Sequence, residues 1–224
     1  MASASSEKPA KPAAGAPGKR DDIRERIIKA TIDCIERNGI EATGVRDIAQ
    51  EAGVNGAAIN YYFGSKDNLL AITLEGTLDQ AFSDVLEDFD KFAQEGHGPR
   101  RILELIFDEL IQHTLQYPRI AYAHMHEAIN EQRYDGRAMS RLHDFVDGLV
   151  ERIRAKKASR SEQQLRVSIT QVWSVMLFAA LLPRFFERTG ELHMEQADVR
   201  KAFVLQMART ILPDEDEEPR RGRR

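Results

Sequence analysis

From Gly53 to Ser65 the chain carries no acidic and no basic side chain, yet it offers Asn55, Ala57, Ala58, Asn60, Tyr61 and Tyr62 within eight positions. That set suits the edge of a nucleic-acid base. An Asn amide can bond adenine through two groups at once, and an Ala methyl can meet the methyl of thymine. Tyr hydroxyls reach phosphate oxygens. Gly56 and the two alanines keep bulk low where a backbone must come close. Arg46 and Lys66 flank the stretch as cations, and Lys66 falls near the start of the next expected helix, whose free N-terminal amides also favour a phosphate.

Other chemistries find less support. His124 and His126 stand two apart, which puts them on different sides of a helix. His113 and Glu109 stand four apart and lack a third partner, so surface or satisfied histidine is the better reading. No nucleophile motif, phosphate loop or paired carboxylates can be picked out. No enzyme activity, metal or cofactor is therefore expected. The single cysteine, Cys34, cannot form an internal disulfide, and no zinc-type spacing is present, which suits a reducing cytoplasm. The first 20 residues lack the apolar core of a signal peptide. The longest apolar run, Val172 to Leu182, is too short to span a bilayer and reads as a buried helix.

Charge argues against nucleic acid. The net charge is −4, and residues 21–81 hold six Arg and Lys against eleven Asp and Glu. Non-specific attraction to a phosphate backbone is then modest. Lys8, Lys11, Lys19 and Arg20 outnumber Glu7 in the leading segment, which makes it either a basic arm or an idle tail.

The elements that position these residues are helical. Residues 1–20 and 213–224 read as disordered tails, the first rich in Pro and Gly and the second an acidic block followed by a basic one. Ile23, Ile27, Ile28, Thr31, Cys34 and Ile35 share one helix face, and Gly39 stops that helix. A short segment from Val45 to Ala52, a turn at Gly53 and a second short segment to Phe63 follow. Ala49 and Ala52 allow close helix approach, Gly53 can take the positive φ of the turn, and Val45, Ile48, Val54, Ile59 and Phe63 can share a small core with the first helix. The next helix, capped by Ser65, runs towards Gln94 with a bend expected near Gly76. Further helices are expected over 99–116, 118–129, 136–157, 161–188 and 196–212. No alternating apolar pattern is present, so the fold class is all-α, with no sheet.

The stretch T-G-V-R-D-I-A-Q-E-A-G-V-N-G-A-A-I-N-Y-Y-F-G-S-K-D-N-L-L, Thr43 to Leu70, resembles the signature of the TetR family of regulators. Matching positions include Val45, Ile48, Ala49, Ala52, Gly53, Val54, Tyr62, Phe63, Ser65, Lys66 and Leu69. The likeness extends over about residues 21–81; beyond them only the plan of helices matches. Asn60 stands where most members have Tyr. Gly44 replaces the usual Ser or Thr cap, a role open to Thr43, while Asn55 can still cap the second short helix.

The resemblance implies an N-terminal helix-turn-helix domain over 21–81, with its motif at 44–63, and a helical ligand-binding and dimerisation domain over 82–212. The implied DNA contacts are Thr43, Arg46, Asn55, Gly56, Ala57, Ala58, Asn60, Tyr61, Tyr62 and Lys66. An effector pocket would draw on Phe107, Tyr122, Met125, His126, Arg141, Phe145, Gln171, Trp173 and Phe178. A two-fold interface would use Leu177, Leu181, Phe185, Val199, Phe203 and Met207. The partners implied are a pseudo-palindromic DNA operator, a second copy of the chain and a small effector, expected to be hydrophobic, with no membrane. The expected role is a cytoplasmic repressor released by its effector. Two alternatives stay open: an activator or corepressor-dependent regulator, and a helical interaction protein whose helix-turn-helix does not read DNA.

Overall fold

The structure, a computed structural model, describes residues 17–130, 136–156 and 160–213. Ten helices and no strand lie among these residues. They are α1 (Pro17–Asn38), α2 (Val45–Ala52), α3 (Gly56–Phe63), α4 (Lys66–Gln94), α5 (Pro99–Gln116), α6 (Pro118–Asn130), α7 (Arg137–Ala155), α8 (Glu162–Leu181), α9 (Pro183–Gly190) and α10 (Ala197–Ile211).

Helices α1 to α3 and the start of α4 make a small head around Ile27, Ala30, Cys34, Ile48, Ala49, Ala52, Ile59, Phe63 and Leu69. Each boundary in the head has a local cause. Helix α1 ends at Gly39, φ 85°, whose N–H donates to the Ile35 carbonyl at 2.8 Å. Helix α2 has no cap side chain at Gly44; instead Asp47 accepts from the Gly44 N–H at 3.2 Å. Thr43 does not take that role: its hydroxyl donates to the Gly39 carbonyl at 2.8 Å. Gly53 closes α2 at φ 65°, and Val54 N–H returns to the Ala49 carbonyl at 2.9 Å. Asn55 caps α3 by accepting from Ala58 N–H at 2.9 Å, and Ser65 caps α4 by accepting from Asn68 N–H at 3.1 Å.

Helices α4, α5, α7, α8 and α10 enclose a larger core that includes Phe89, Ile102, Leu103, Ile106, Phe107, Phe145, Leu149, Ile153 and Leu165. Each fully buried large side chain stabilises the fold by about 1.5–3 kcal/mol. A third cluster, Ile35, Leu70, Ile120 and Ala123, joins the two bodies through α1, α4 and α6. Glu36 of α1 reinforces the joint. Its carboxylate accepts from Arg119 N–H at 3.1 Å and Ile120 N–H at 3.2 Å, at the positive end of α6. Arg119 reaches back to the Arg37 carbonyl.

Several expectations change. Helix α1 begins at Pro17, inside the segment read as a tail. The helix expected over 161–188 is two, because Pro183 lacks the N–H that would continue α8 and starts α9 at its first turn. Helix α4 runs unbroken through Gly76. Helix α8 spans 20 residues and is, by length and composition alone, apolar enough to cross a membrane. It packs against α5, α6, α7 and α10, and the length of the run from Val172 underestimates it.

Candidate DNA-reading face and effector cavity

Helix α3 is held by its buried residues, Ile59 and Phe63, and turns the rest outward. Asn55, Ala57, Asn60 and Tyr61 are exposed, with Tyr61 at 57%. Gly56 and Ala58 are half-buried; a side chain at Gly56 would meet Val45 Cγ1 at 3.7 Å. Tyr62 is also half-buried, packs on the head's core and meets the Tyr61 ring edge-on at 5.1 Å. Arg46 is exposed on α2. Lys66 sits at the head of α4, where its ammonium donates to the Thr43 carbonyl at 2.9 Å.

Thr43 cannot meet DNA as expected, because it is fully buried and both its hydroxyl and its carbonyl are engaged within the head. Arg20 was missed. Its guanidinium donates to the Tyr61 hydroxyl at 2.9 Å and lies 5.5 Å from the centre of that ring. Arg24 lies over Phe63 at 5.3 Å. The first turns of α1 thus bring two cations to the uncharged helix α3, a signal hidden when residue 20 is assigned to a tail.

Five of the eleven acids in residues 21–81 make contacts away from the outer face of α3. Glu51 pairs with Arg37 at 2.8 Å, Asp47 binds the Gly44 N–H, Glu36 caps α6, and Glu41 lies 3.2 Å from His126. Asp79 pairs with Arg141 at 2.8 Å.

A cavity of about 330 Å³ opens where α1, α4, α5, α6 and α8 meet, near the lower end of the range for small-molecule sites. Its wall is mostly apolar, with Ile32, Leu78, Phe82, Met125, Trp173 and Met176 prominent. Two of the expected pocket residues, Met125 and Trp173, line it. The others stand elsewhere. Phe107 and Phe145 are buried in the main core, where Phe145 stacks on Phe82 at 4.6 Å. Arg141 is tied to Asp79, and His126 faces Glu41. Tyr122, Gln171 and Phe178 are exposed. His124, Thr77 and His113 were not expected in the wall. The step from Tyr117 through Ile120 and Ala121 to His124 is a helix face, and following it would have turned His124 inward.

His124 is half-buried as a residue, and desolvation of its packed ring pushes its pKa down to about 4. Its Nε2 lies 3.3 Å from Thr77 Oγ1, and Nδ1 is buried with no hydrogen-bond partner. Among the described residues no group of three or more His, Cys, Asp or Glu could hold a metal ion.

Most of the exposed large aliphatic and Phe side chains form a stripe on α8 and its continuation: Val167, Val175, Phe178, Leu182 and Phe185 are all at least 40% exposed, with Leu205 of α10 the other. Of the expected interface, only Phe185 belongs to it. Met207 is buried, Leu177 lines the cavity, Phe203 packs on the core, and Leu181 and Val199 are half-buried.

A helix-turn-helix head joined to a larger, hollow helical domain is the arrangement that these observations define. Residues 27–71 match the model of the bacterial regulatory proteins of the tetR family. A BetI-named HTH-type transcriptional regulator of Vibrio campbellii is 35% identical over 80 residues, covering 35% of this chain and 40% of that protein. One from Chromohalobacter salexigens is 34% identical over 87 residues, covering 38% and 40%. The chain thus matches about two fifths of these relatives' length. A TetR-family regulator structure from Mesorhizobium loti superposes with a TM-score of 0.66 at 13% identity, covering 86% of this chain and 96% of that one. The Thermus thermophilus FadR repressor, solved with lauroyl-CoA, gives 0.55 at 16% identity, covering 88% and 98%. These structures share the fold. Over its N-terminal part the chain is similar to the regulatory proteins of the tetR family, and beyond it the likeness is one of fold.

Proposed function

We propose that the chain is a dimeric, cytoplasmic transcription repressor that leaves a pseudo-palindromic operator when a small hydrophobic effector fills the cavity. The observation that carries this reading is the exposed, uncharged face of α3, with Tyr61 tied to Arg20 beside it. Asn60 and Ala57 read base edges in the major groove; Tyr61, Arg20, Arg46 and Lys66 hold phosphates. The exposed stripe of α8 supports pairing of two copies, which would present two α3 helices about one helical turn of DNA apart. Repression and a greasy effector accord with the FadR repressor solved with lauroyl-CoA and with the apolar wall of this cavity.

Selection from a randomised duplex library at fixed salt, run beside a Tyr61→Ala variant, tests the reading. Enrichment of a pseudo-palindrome that the variant binds poorly is expected. A folded dimer that enriches nothing at low salt overturns DNA recognition and leaves an interaction protein.

A further inference from the structure

We propose that Arg20 is a positioning residue of the reading face: it fixes the Tyr61 hydroxyl as a hydrogen-bond donor, and the two side chains close on one DNA phosphate as a single clasp that ties α1 to α3. The inference rests on the reading of α3 as the DNA-reading helix and names how its exposed tyrosine is held for binding.

An exposed tyrosine is ordinarily free to turn, and ordering it costs affinity when a partner arrives. Tyr61 is 57% exposed and yet held. The Arg20 guanidinium donates to its hydroxyl at 2.9 Å and lies 5.5 Å from the centre of its ring. The ring of Tyr62 meets it edge-on at 5.1 Å and is itself half-buried against the core of the head. Arg20 owes its place to α1. Arg20 and Arg24 stand one turn apart on one face of that helix, and Arg24 lies 5.3 Å from the ring centre of the buried Phe63. The first turns of α1 thus lie along α3 and deliver Arg20 to the tyrosine.

The bond settles what the hydroxyl can do. A phenol has a single proton to give. Because Arg20 is the donor, the Tyr61 oxygen accepts, and its own proton stays free for an acceptor outside the protein. Arg20 spends only one of its N–H groups on this bond, and among the described residues no carboxylate pairs with it. The couple therefore presents donors beside a positive charge. A phosphate oxygen, anionic and able only to accept, is the group that matches both, and hydrogen bonds to a charged acceptor are the stronger kind.

The operator enriched from the duplex library is the probe, titrated against the full chain at several salt concentrations. Tyr61→Phe removes only the hydroxyl and should weaken binding about tenfold. Arg20→Met should weaken it at least as much and lower the slope of log affinity against log salt by about one, a slope that Tyr61→Phe leaves alone. The double variant decides. In a clasp that acts as one unit, Tyr61→Phe has less than about a twofold effect once Arg20 is replaced. Circular dichroism checks that each variant keeps its helices, and Arg20→Gln runs the same cycle if Arg20→Met frays α1. Losses that multiply, to about a hundredfold in the double variant, overturn the clasp and leave two independent contacts. A Tyr61→Phe chain that binds as tightly as the unaltered one overturns it as well. In both cases an operator has been read, and recognition by α3 stands. A folded chain that enriches no operator overturns that recognition, and the clasp with it.

Discussion

Replacing His124 by Phe should change how the stability of the fold depends on pH. The imidazole is held neutral by burial alone, with a pKa of about 4 against an ordinary 6.5. Below pH 6.5 the unfolded chain takes up a proton that the folded chain refuses, so acid favours unfolding. The neutral ring's contribution is complete above 6.5 and is lost as the pH falls towards 4. The whole interval is worth about 3 kcal/mol, and by about pH 5 roughly 2 kcal/mol of it has gone. Urea unfolding at about pH 7.5 and about pH 5, followed by circular dichroism, measures the loss in each protein. Asp147, which Arg166 holds below the usual carboxylate range, titrates in both proteins and cancels in the subtraction. The unaltered chain should lose about 2 kcal/mol more than the Phe variant over this interval. Equal losses would refute the claim that His124 folds as a buried neutral base.

Three further outcomes follow from individual contacts. Arg200, 8% exposed, bonds Asp108 at 2.7 Å and the Met194 carbonyl at 3.0 Å. Arg200→Met strands the carboxylate of a half-buried pair and should cost about 2–3 kcal/mol in chemical unfolding; no change would mean that the pair is solvated. Asn55→Ala removes the cap of α3 and should cost about 1 kcal/mol, with helical content kept; an unshifted urea midpoint counts against the cap. Gly53→Ala forces a side chain into φ 65°, 3.1 Å from Arg26, and should cost about 1–2 kcal/mol; a stabilised variant would show that the turn relaxes freely.

The head was largely legible because its signals are local. Gly39 and Gly53 take the positive φ expected of a helix stop and a turn, and Asn55 and Ser65 cap the helices that they precede. Thr43 was misread because a threonine before a helix suggests a cap, and only the packed head shows that Asp47 does the work from inside. The cavity was less legible because it depends on which of several apolar faces three or more helices leave unfilled. Phe107 and Phe145 carry the same apolar signal as Trp173, yet they fill the core while Trp173 borders a hollow. The surface stripe shows the same limit. Phe178 on α8 and Phe203 on α10 carry the same apolar signal, yet the first is exposed and the second packs on the core.

Helix α1 bears on both halves of the proposed function. One face supplies Ile27, Ala30 and Cys34 to the core beneath α3. Another lends Lys29, Ile32 and Asp33 to the cavity wall, and its end holds α6 through Glu36. A molecule in the cavity therefore touches the DNA-reading head directly as well as the helices around it. Close-packed interiors compress little, so a displaced wall moves its helix as a unit. Arg20 lies on that same helix and bonds Tyr61 on α3. Under the proposed function, coupling between effector and operator would need no long relay, since α1 borders the cavity and shares one core with α3.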